Sequence, residues 1–242
     1  MLRGALHLHT TLSHDGIMSL AELSDFLKEL GYNFIAITEH SYDLNQDSIN
    51  KLVEEARKLS GDNFLIIPGI EFRCRDKIDI LGYGTTATCD SEDPKKIIEH
   101  IKSHGGVAVW AHPTIKNYPV SDDWIIKLDG YEVWNNSNDG KYLPQRKPLR
   151  IYRKYRSLNP ELKAFTGLDL HSKRSFGPIA TLIDLPKPDV STIIAAMRSG
   201  YFWTESQFFD TDSRANINAL RRGGIYSARI LLNIARVIKH QF

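Results

Sequence analysis

The sequence has few cysteines, no long apolar run and no excess of either charge. Only Cys74 and Cys89 occur among its 242 residues, which argues against a disulfide framework and fits a reducing compartment. No stretch approaches the roughly 20 apolar residues that span a bilayer, and the N-terminus lacks the pattern of a secretion signal. The 31 basic and 29 acidic residues nearly balance, so overall charge predicts neither nucleic acid nor membrane binding. We expect a soluble cytoplasmic protein that binds anions, if at all, at a local site.

Short apolar strands alternate with helical patterns along the chain. Strands are predicted at residues 5–9, 34–38, 64–67, 78–83, 107–110, 131–134, 162–168 and 179–185. Helices are predicted at residues 19–30, 47–59, 93–104, 124–128, 148–157 and 190–198. This order predicts parallel pairing with right-handed crossovers, and seven strands before residue 170 favour a closed α/β barrel over an open sheet.

The chain divides into a barrel over residues 1–205 and a C-terminal extension over residues 206–242. Residues 207–224 are polar and contain glycine, which is typical of a mobile connection. Apolar residues then recur at helical spacing at Ile230, Leu231, Ile234, Val237 and Ile238. We expect an amphipathic tail helix packed on the barrel, with contact to another subunit or a partner as the alternative.

Metal-ligand residue types recur where the predicted strands end. These residues are His7, His9, Asp15, His40, Glu71, His112, Asp169 and His171. In a parallel α/β barrel the carboxyl ends of the strands lie on one face, where active sites are built. A single His-x-His pair would be weak evidence for a metal, but five such clusters predict a metal site at that face.

The spacing and the number of these residues indicate the kind of centre. Residues two apart in a strand point to the same side, so His7 and His9 can reach one ion together. Imidazole and carboxylate ligands suit manganese, zinc, iron or cobalt, and their number exceeds one zinc site, so two or three divalent ions are implied. Clustered metals generate hydroxide near neutral pH and clamp both oxygens of a phosphoryl displacement.

Five motifs together resemble the PHP (polymerase and histidinol phosphatase) family. They are HLHTTLSHDG at 7–16, AITEH at 36–40, PGIEF at 68–72, AHP at 111–113 and GLDLH at 167–171, with a family-like ILGY at 80–83. The match extends over roughly residues 1–205. It implies a distorted, TIM-barrel-like (β/α)7 barrel with a two- or three-metal centre, in a family of which many members hydrolyse phosphoesters.

The resemblance also implies a distribution of ligands over three metal positions. His7, His9, Glu71 and Asp169 would hold the first ion; Glu71 would bridge to a second bound by His112; and Asp15, His40 and His171 would hold the third. His14 is the alternative to Asp15. Asp79 stands where similar proteins often carry a histidine, so it is either a ligand with altered metal preference or a lost ligand.

Other residues near the strand ends are candidates for catalysis or substrate binding. Glu39 precedes His40 and is expected to orient a ligand or transfer a proton. Arg174 is a second catalytic candidate and, with Arg73 and Lys173, a candidate for gripping phosphate. Asn135 follows a strand and is predicted to line the substrate pocket.

The sequence thus predicts a metal-dependent phosphoesterase that uses metal-activated hydroxide on a small phosphomonoester or nucleotide phosphodiester. A nuclease acting on single strands or ends is the alternative enzyme, although the balanced charge disfavours a nucleic acid partner. A metal-dependent hydrolase of carbon–nitrogen bonds and a non-catalytic binding or regulatory module are the remaining alternatives.

Overall fold

The computed structural model describes residues 1–216. The predicted tail helix at residues 230–238 and most of the predicted mobile connection lie outside the described residues. Within residues 210–212 the structure has a strand where a mobile connection was predicted, so that part of the prediction is wrong. No helix in residues 1–216 combines the length and the apolar character needed to cross a membrane.

Seven α-helices lie in the described chain, and the sequence predicted all of them, or parts of them, except α5. They are α1 (Leu20–Glu29), α2 (Gln46–Leu59), α3 (Pro94–Ser103), α4 (Asp122–Ile125), α5 (Asn136–Asp139), α6 (Arg146–Leu158) and α7 (Val190–Ser199). At the start of α1 the Ser19 hydroxyl accepts from the Glu22 amide at 3.2 Å, and the Glu22 carboxylate accepts from the Ser19 amide at 2.8 Å. These two contacts form a capping box, which fixes the start of α1.

The strands form two six-stranded sheets. They are β1 (Leu2–Leu8), β2 (Phe34–Ile37), β3 (Glu39–His40), β4 (Leu65–Ile67), β5 (Gly69–Arg73), β6 (Asp79–Tyr83), β7 (Val107–Trp110), β8 (Gly130–Asn135), β9 (Lys163–Gly167), β10 (Ile179–Ile183), β11 (Trp203–Ser206) and β12 (Asp210–Asp212). One sheet has the order β12-β11-β10-β1-β2-β4, and the other has the order β3-β5-β6-β7-β8-β9.

The two sheets are joined at both sides. Only Thr38 separates β2 from β3, and only Pro68 separates β4 from β5, so two runs of chain pass from one sheet into the other. On the opposite side the Leu168 amide donates to the Leu6 carbonyl at 2.9 Å, and the His9 amide donates to the Leu170 carbonyl at 3.1 Å. The predicted α/β, TIM-barrel-like fold is confirmed in this form, with the ends of β1 and β9 side by side.

Pairing departs from the predicted parallel pattern at β10, which is antiparallel to β1 and β11, and at β6. Strand β6 is antiparallel to both β5 and β7, and it pairs with β5 from Gly69 opposite Tyr83 to Arg73 opposite Asp79. Only residues 74–78 connect β5 to β6, which is too short for the crossover that a parallel pair requires. The prediction of parallel pairing is therefore wrong here, and the start of β6 lies beside the end of β5.

Alternating strand residues divide the apolar core into two clusters. In β7, Val107 and Val109 belong to a cluster shared with residues of β1, β2, β4, β6, β9 and α7, whereas Ala108 and Trp110 belong to the larger cluster beneath the helices. The smaller cluster fills the space between the strands, as side chains do inside a barrel. Both clusters together hold the strand ends in fixed positions around the candidate site.

Candidate metal centre

The structure brings the predicted ligands from five strand ends into one cluster. His7 is in β1 and His9 directly follows this strand. His40 is in β3, Glu71 is in β5, His112 follows β7, and Asp169 and His171 follow β9. Three groups have ligand atoms within 4.8 Å of one another: His9 with His40 and His171, His7 with His9 and Asp169, and His7 with Glu71 and His112. Residues up to 164 positions apart in sequence therefore face a common centre.

Glu71 is at the middle of this cluster and is almost completely buried. Its Oε2 atom lies 2.9 Å from His40 Nδ1, 3.5 Å from His9 Nε2 and 3.6 Å from His7 Nε2. Its Oε1 atom lies 3.0 Å from His112 Nε2. Burial opposes ionisation, but the neighbouring imidazoles of His7, His112 and His40 hold the Glu71 pKa well below its usual range. An ionised carboxylate with imidazoles on both oxygens is suited to bridge two cations.

Two further carboxylates complete the ligand set. Asp169 Oδ1 lies 3.6 Å from His7 Nε2 and 3.7 Å from His9 Nε2. Asp15, whose side chain is 43% exposed, lies 3.3 Å from both His40 Nε2 and His171 Nε2. His14, the alternative to Asp15, instead holds Asp43 at 2.9 Å and is largely exposed. The geometry thus places Asp15 between two histidines of the cluster.

Several buried atoms of the cluster lack a hydrogen-bond partner among residues 1–216. They are His7 Nε2, His9 Nε2, His112 Nδ1 and His171 Nε2. A buried polar atom left without a partner costs about 1–3 kcal/mol, so a concentration of such atoms needs an explanation. Divalent cations provide one, because imidazole nitrogens and carboxylate oxygens with free lone pairs are the donors that such ions take. The residues therefore fit bound metal.

The outer nitrogens of three imidazoles are held so that the inner ones face the cluster. His7 Nδ1 donates to Glu132 Oε1 at 2.8 Å, and His171 Nδ1 donates to the Asp169 carbonyl at 3.1 Å. Both partners accept, so Nδ1 carries a proton, and in the neutral ring that binds metal the lone pair is on Nε2. Metal-binding histidines are usually held in this way, which fixes both tautomer and ring orientation.

His9 is oriented through a chain of hydrogen bonds that ends on Glu39. The Ser13 hydroxyl donates to Glu39 Oε2 at 2.5 Å and accepts from the His40 amide at 3.0 Å. His9 Nδ1 lies 3.4 Å from the same hydroxyl oxygen and donates to it, because the hydroxyl proton of Ser13 is already donated to Glu39. Glu39 is fully buried, and burial raises its pKa although Ser13 and Thr10 donate to it. The Glu39 carboxylate thus acts on His9 through Ser13 and not by direct contact.

The backbone is strained at three of the candidate ligands. His7, His112 and Asp169 have φ values of 60°, 29° and 50°, in the left-handed region that L-residues seldom occupy. Each such residue costs on the order of 1–3 kcal/mol and persists only where the surrounding structure fixes it, most often at functional sites. The strain is consistent with selection for ligand geometry at these positions.

Charge within the cluster shifts the pKa values of the imidazoles in opposite directions. Burial lowers the pKa of His9 well below its usual value, and neighbouring imidazoles add to this effect. At His112, burial is outweighed by the hydrogen bond and charge of Glu71, which raise the pKa to about 9. The same competition at His7, with the carboxylate of Glu132 the leading favourable charge, raises its pKa well above the ordinary value.

Asp79 is buried at the edge of the cluster, and its position follows from the reversed direction of β6. Its Oδ2 atom lies 3.9 Å from His112 Nε2, while its Oδ1 atom pairs with the Arg73 guanidinium on β5. Burial, together with the charge of Glu71, raises the pKa of Asp79. Asp79 is outside the three groups of ligand atoms given above, and its role as a ligand stays a prediction.

The predicted substrate residues lie in different surroundings. Arg73 is partly exposed and its guanidinium lies over the Tyr42 ring at 5.2 Å. Lys173 and Arg174 are exposed; the Lys173 amine lies over the Phe26 ring at 5.2 Å, and the Arg174 carbonyl accepts from Lys141. Asn135 is completely buried behind the cluster. Their roles in substrate binding stay predictions, and Arg73 is the one held closest to the ligands.

Sequence reasoning missed Glu132, which holds His7, and Asn138, whose amide donates to Asp169 Oδ2 at 3.2 Å. A signal for Glu132 was available: an acidic residue within the apolar run YEVW of a buried strand demands a partner. Asn138 offered no such signal, because it follows the strand in a polar stretch that is also typical of an ordinary turn.

A family model for the PHP domain matches residues 5–173, and the chain belongs to this family. The match spans all ligand-bearing strand ends described above and confirms the resemblance seen in the sequence motifs. One curated relative is DNA polymerase/3'-5' exonuclease PolX of Bacillus subtilis (strain 168), which is 25% identical over 240 residues. The alignment includes 85% of this chain but only 38% of PolX.

Solved structures confirm the fold at low sequence identity. A Bifidobacterium adolescentis protein described as a metal-dependent phosphoesterase has a TM-score of 0.56 at 17% identity, over 81% of this chain and 96% of its own. PsfC of Pseudomonas syringae has a TM-score of 0.57 at 16% identity, over 94% and 100%. An amidohydrolase of Chromobacterium violaceum with bound sulfate has a TM-score of 0.52 at 14% identity, over 82% and 96%.

Proposed function

We propose that this PHP-domain protein is a metal-dependent phosphoesterase acting on a small phosphomonoester or a nucleotide phosphodiester. The observation that carries the proposal is the cluster of buried imidazole and carboxylate atoms around Glu71, several of which have no hydrogen-bond partner in the described chain. Hydrolases are common in the family, and one structural neighbour is described as a phosphoesterase. Fold alone does not fix a substrate, so the assignment rests on the site.

The candidate ligands are assigned to three positions. His7, His9, Glu71 and Asp169 would hold one ion, Glu71 and His112 a second, and Asp15, His40 and His171 a third. Asp79 would join the second position through Oδ2, since Oδ1 is already paired with Arg73 and Oδ2 lies on the side of His112. When bound, manganese, zinc, iron or cobalt ions supply the Lewis acidity that phosphoester hydrolysis requires.

The protein's own residues would position the substrate and the ligands. Arg73 extends from the strand that carries Glu71, and its planar guanidinium is suited to bind a phosphate through two hydrogen bonds. Lys173 and Arg174 would add positive charge at the exposed side of the centre. Glu39 would act by holding Ser13, and through it His9, because its carboxylate oxygens accept from Ser13 and Thr10.

A second candidate is a 3'-5' exonuclease acting on the end of a nucleic acid. The sequence relationship to PolX favours it, although this chain spans little more than a third of that protein. An exonuclease must release a nucleotide from an oligonucleotide, whereas a phosphomonoesterase releases inorganic phosphate. A substrate panel that contains both classes separates the two candidates.

The test pairs metal analysis with hydrolysis assays. Purified protein should contain at least two divalent ions per chain and hydrolyse at least one phosphomonoester, phosphodiester or oligonucleotide when manganese, zinc, iron or cobalt is supplied. Asp169→Asn should remove this activity, because it removes a charged candidate ligand. It should leave the circular dichroism spectrum unchanged, because asparagine has nearly the same size as aspartate. Fewer than two metals per chain, with no activity across the panel, would refute the proposal.

A further inference from the structure

Glu132 is a buried carboxylate that connects two ligand-bearing strand ends. It lies in β8 and is 1% exposed. Oε1 accepts from Nδ1 of His7, near the end of β1, at 2.8 Å, and Oε2 accepts from the backbone amide of His112, which follows β7, at 2.7 Å. One side chain therefore contacts both the imidazole of one candidate ligand and the main chain of another.

The surroundings of Glu132 keep this carboxylate in a single orientation. The Asn135 side-chain amide donates to Oε2 at 3.1 Å, so both carboxylate oxygens have partners. Gly167 on the neighbouring strand leaves the necessary room, because a Cβ there would lie 2.0 Å from Glu132 Oε1. Four strands, β1, β7, β8 and β9, thus contribute to the place where this carboxylate is held.

Both residues that Glu132 holds have strained backbones. His7 and His112 have φ values of 60° and 29°, and neither is glycine. A left-handed conformation at such residues persists only where neighbouring contacts fix it. The hydrogen bond to the His112 amide is one such contact, and the hydrogen bond to His7 Nδ1 fixes the ring that the strained backbone directs into the cluster.

We propose that Glu132 is a positioning residue of the metal centre, which sets the tautomer of His7 and the backbone direction of His112 together. The inference rests on the proposed function only in taking these two histidines as metal ligands. Glu132 itself would not bind metal, since its oxygens are occupied by donors behind the cluster. Its loss should weaken two metal positions at once, because His7 belongs to the first position and His112 to the second.

Replacement by glutamine makes a sharp test because it keeps the size of the side chain. If the new amide nitrogen faced His7, it could only donate, so His7 would have to carry its proton on Nε2, the atom that faces Glu71 and Asp169. If the amide were turned round, its N–H groups would face the amide donors of His112 and Asn135. Either orientation removes a contact that the carboxylate makes.

Asp129→Asn is the matched control. Asp129 immediately precedes the same strand and is also buried, and its carboxylate contacts Lys102 and the Ala108 backbone amide at 3.1 and 3.0 Å. Its replacement removes a buried carboxylate charge immediately before β8, away from the histidines. A general effect of lost buried charge on folding would appear in both variants.

The experiment is a titration of metal-free wild type, Glu132→Gln and Asp129→Asn with Co²⁺, followed through the visible absorption of the bound ion. Glu132→Gln should bind Co²⁺ roughly 10- to 100-fold more weakly with an altered spectrum, in the range known for residues that support metal ligands. Asp129→Asn should keep the wild-type affinity and spectrum. Wild-type binding by Glu132→Gln, or an equal loss in Asp129→Asn, would overturn the inference.

Glu132→Asp keeps the assay decisive if the glutamine variant does not fold. The shorter carboxylate cannot reach both histidines, so its Co²⁺ affinity should fall, and an affinity equal to wild type would overturn the inference. The readout is independent of hydrolysis. Wild-type protein that binds Co²⁺ but cleaves no phosphoester would contradict the proposed function while leaving the result for Glu132 standing.

Discussion

Adding one methyl group at Gly167 should disrupt the metal centre without replacing a candidate ligand. An ideal Cβ at this position lies 2.0 Å from Glu132 Oε1 and 2.9 Å from His7 Cβ. To reach an ordinary contact of 3.4 Å, the Glu132 oxygen would have to move by about 1.4 Å. A displacement of this size is enough to break its 2.8 Å hydrogen bond to His7, which weakens steeply beyond the normal range.

The expected magnitude follows from the packing around this position. Overpacking a filled core costs about 1–3 kcal/mol, and loss of a hydrogen bond to a charged group adds about 1.5–3 kcal/mol. Gly167→Ala should therefore lower the free energy of unfolding by roughly 2.5–6 kcal/mol and weaken metal binding roughly tenfold or more. Urea denaturation followed by circular dichroism, with and without metal, measures the first effect, and metal titration measures the second.

Gly61→Ala supplies the control for this prediction. A Cβ at Gly61 meets nothing within 4 Å in the described chain, so the substitution should change stability by less than about 1 kcal/mol and leave metal binding unchanged. If Gly167→Ala matched Gly61→Ala in both stability and metal affinity, the reasoning about the space occupied by Glu132 would be refuted.

Three further predictions concern the metal, the substrate and the fold. Removal of metal by a chelator should lower the midpoint of thermal unfolding, and metal restored at 100 times its Kd should return about 2.7 kcal/mol of stability, which calorimetry would detect. Arg73→Met should raise KM for a phosphate substrate about tenfold with a smaller change in kcat, and Arg73→Lys should have an intermediate KM; equal KM values would exclude Arg73 from phosphate binding. Ser19→Ala should lower the free energy of unfolding by about 1 kcal/mol through loss of the α1 cap, and changed hydrolysis by the folded variant would contradict its purely structural role.

The sequence predicted the site better than it predicted the strand pairing. Ligand types at the ends of apolar runs, such as His7 and His9 or Asp169 and His171, are local patterns that a parallel α/β arrangement brings together. The direction of β6 depends instead on the connection at residues 74–78. This connection is short enough to force antiparallel pairing, but its length is known only when the ends of β5 and β6 are known. For that reason the sequence predicted that Asp79 lies near the site, but it did not predict the ion pair with Arg73, which the antiparallel strand creates.

Residues that act behind the ligands were the hardest to predict. Glu132 and Ser13 contact histidines 125 and 4 positions away in sequence, and their roles depend on which nitrogen of each ring faces the cluster. Periodicity identifies a residue as buried, but it carries no information on hydrogen-bond direction. Asn135 illustrates the limit: it was predicted to follow a strand and line the pocket, whereas in the structure it ends β8 and donates to Glu132 from a buried position.

The left-handed conformations of His7, His112 and Asp169 also bear on the order in which the protein folds and takes up metal. The left-handed conformation is unfavourable for each of these residues in an isolated peptide, so contacts with the surrounding sheets must stabilise it. The centre is therefore preorganised. Folding of the strands offsets the free energy cost of the strained ligand conformations, so the donor atoms already face the centre before a metal ion binds. Uptake of metal by the folded protein should accordingly be faster than refolding, and point changes in the distant packing of the strands should alter metal affinity.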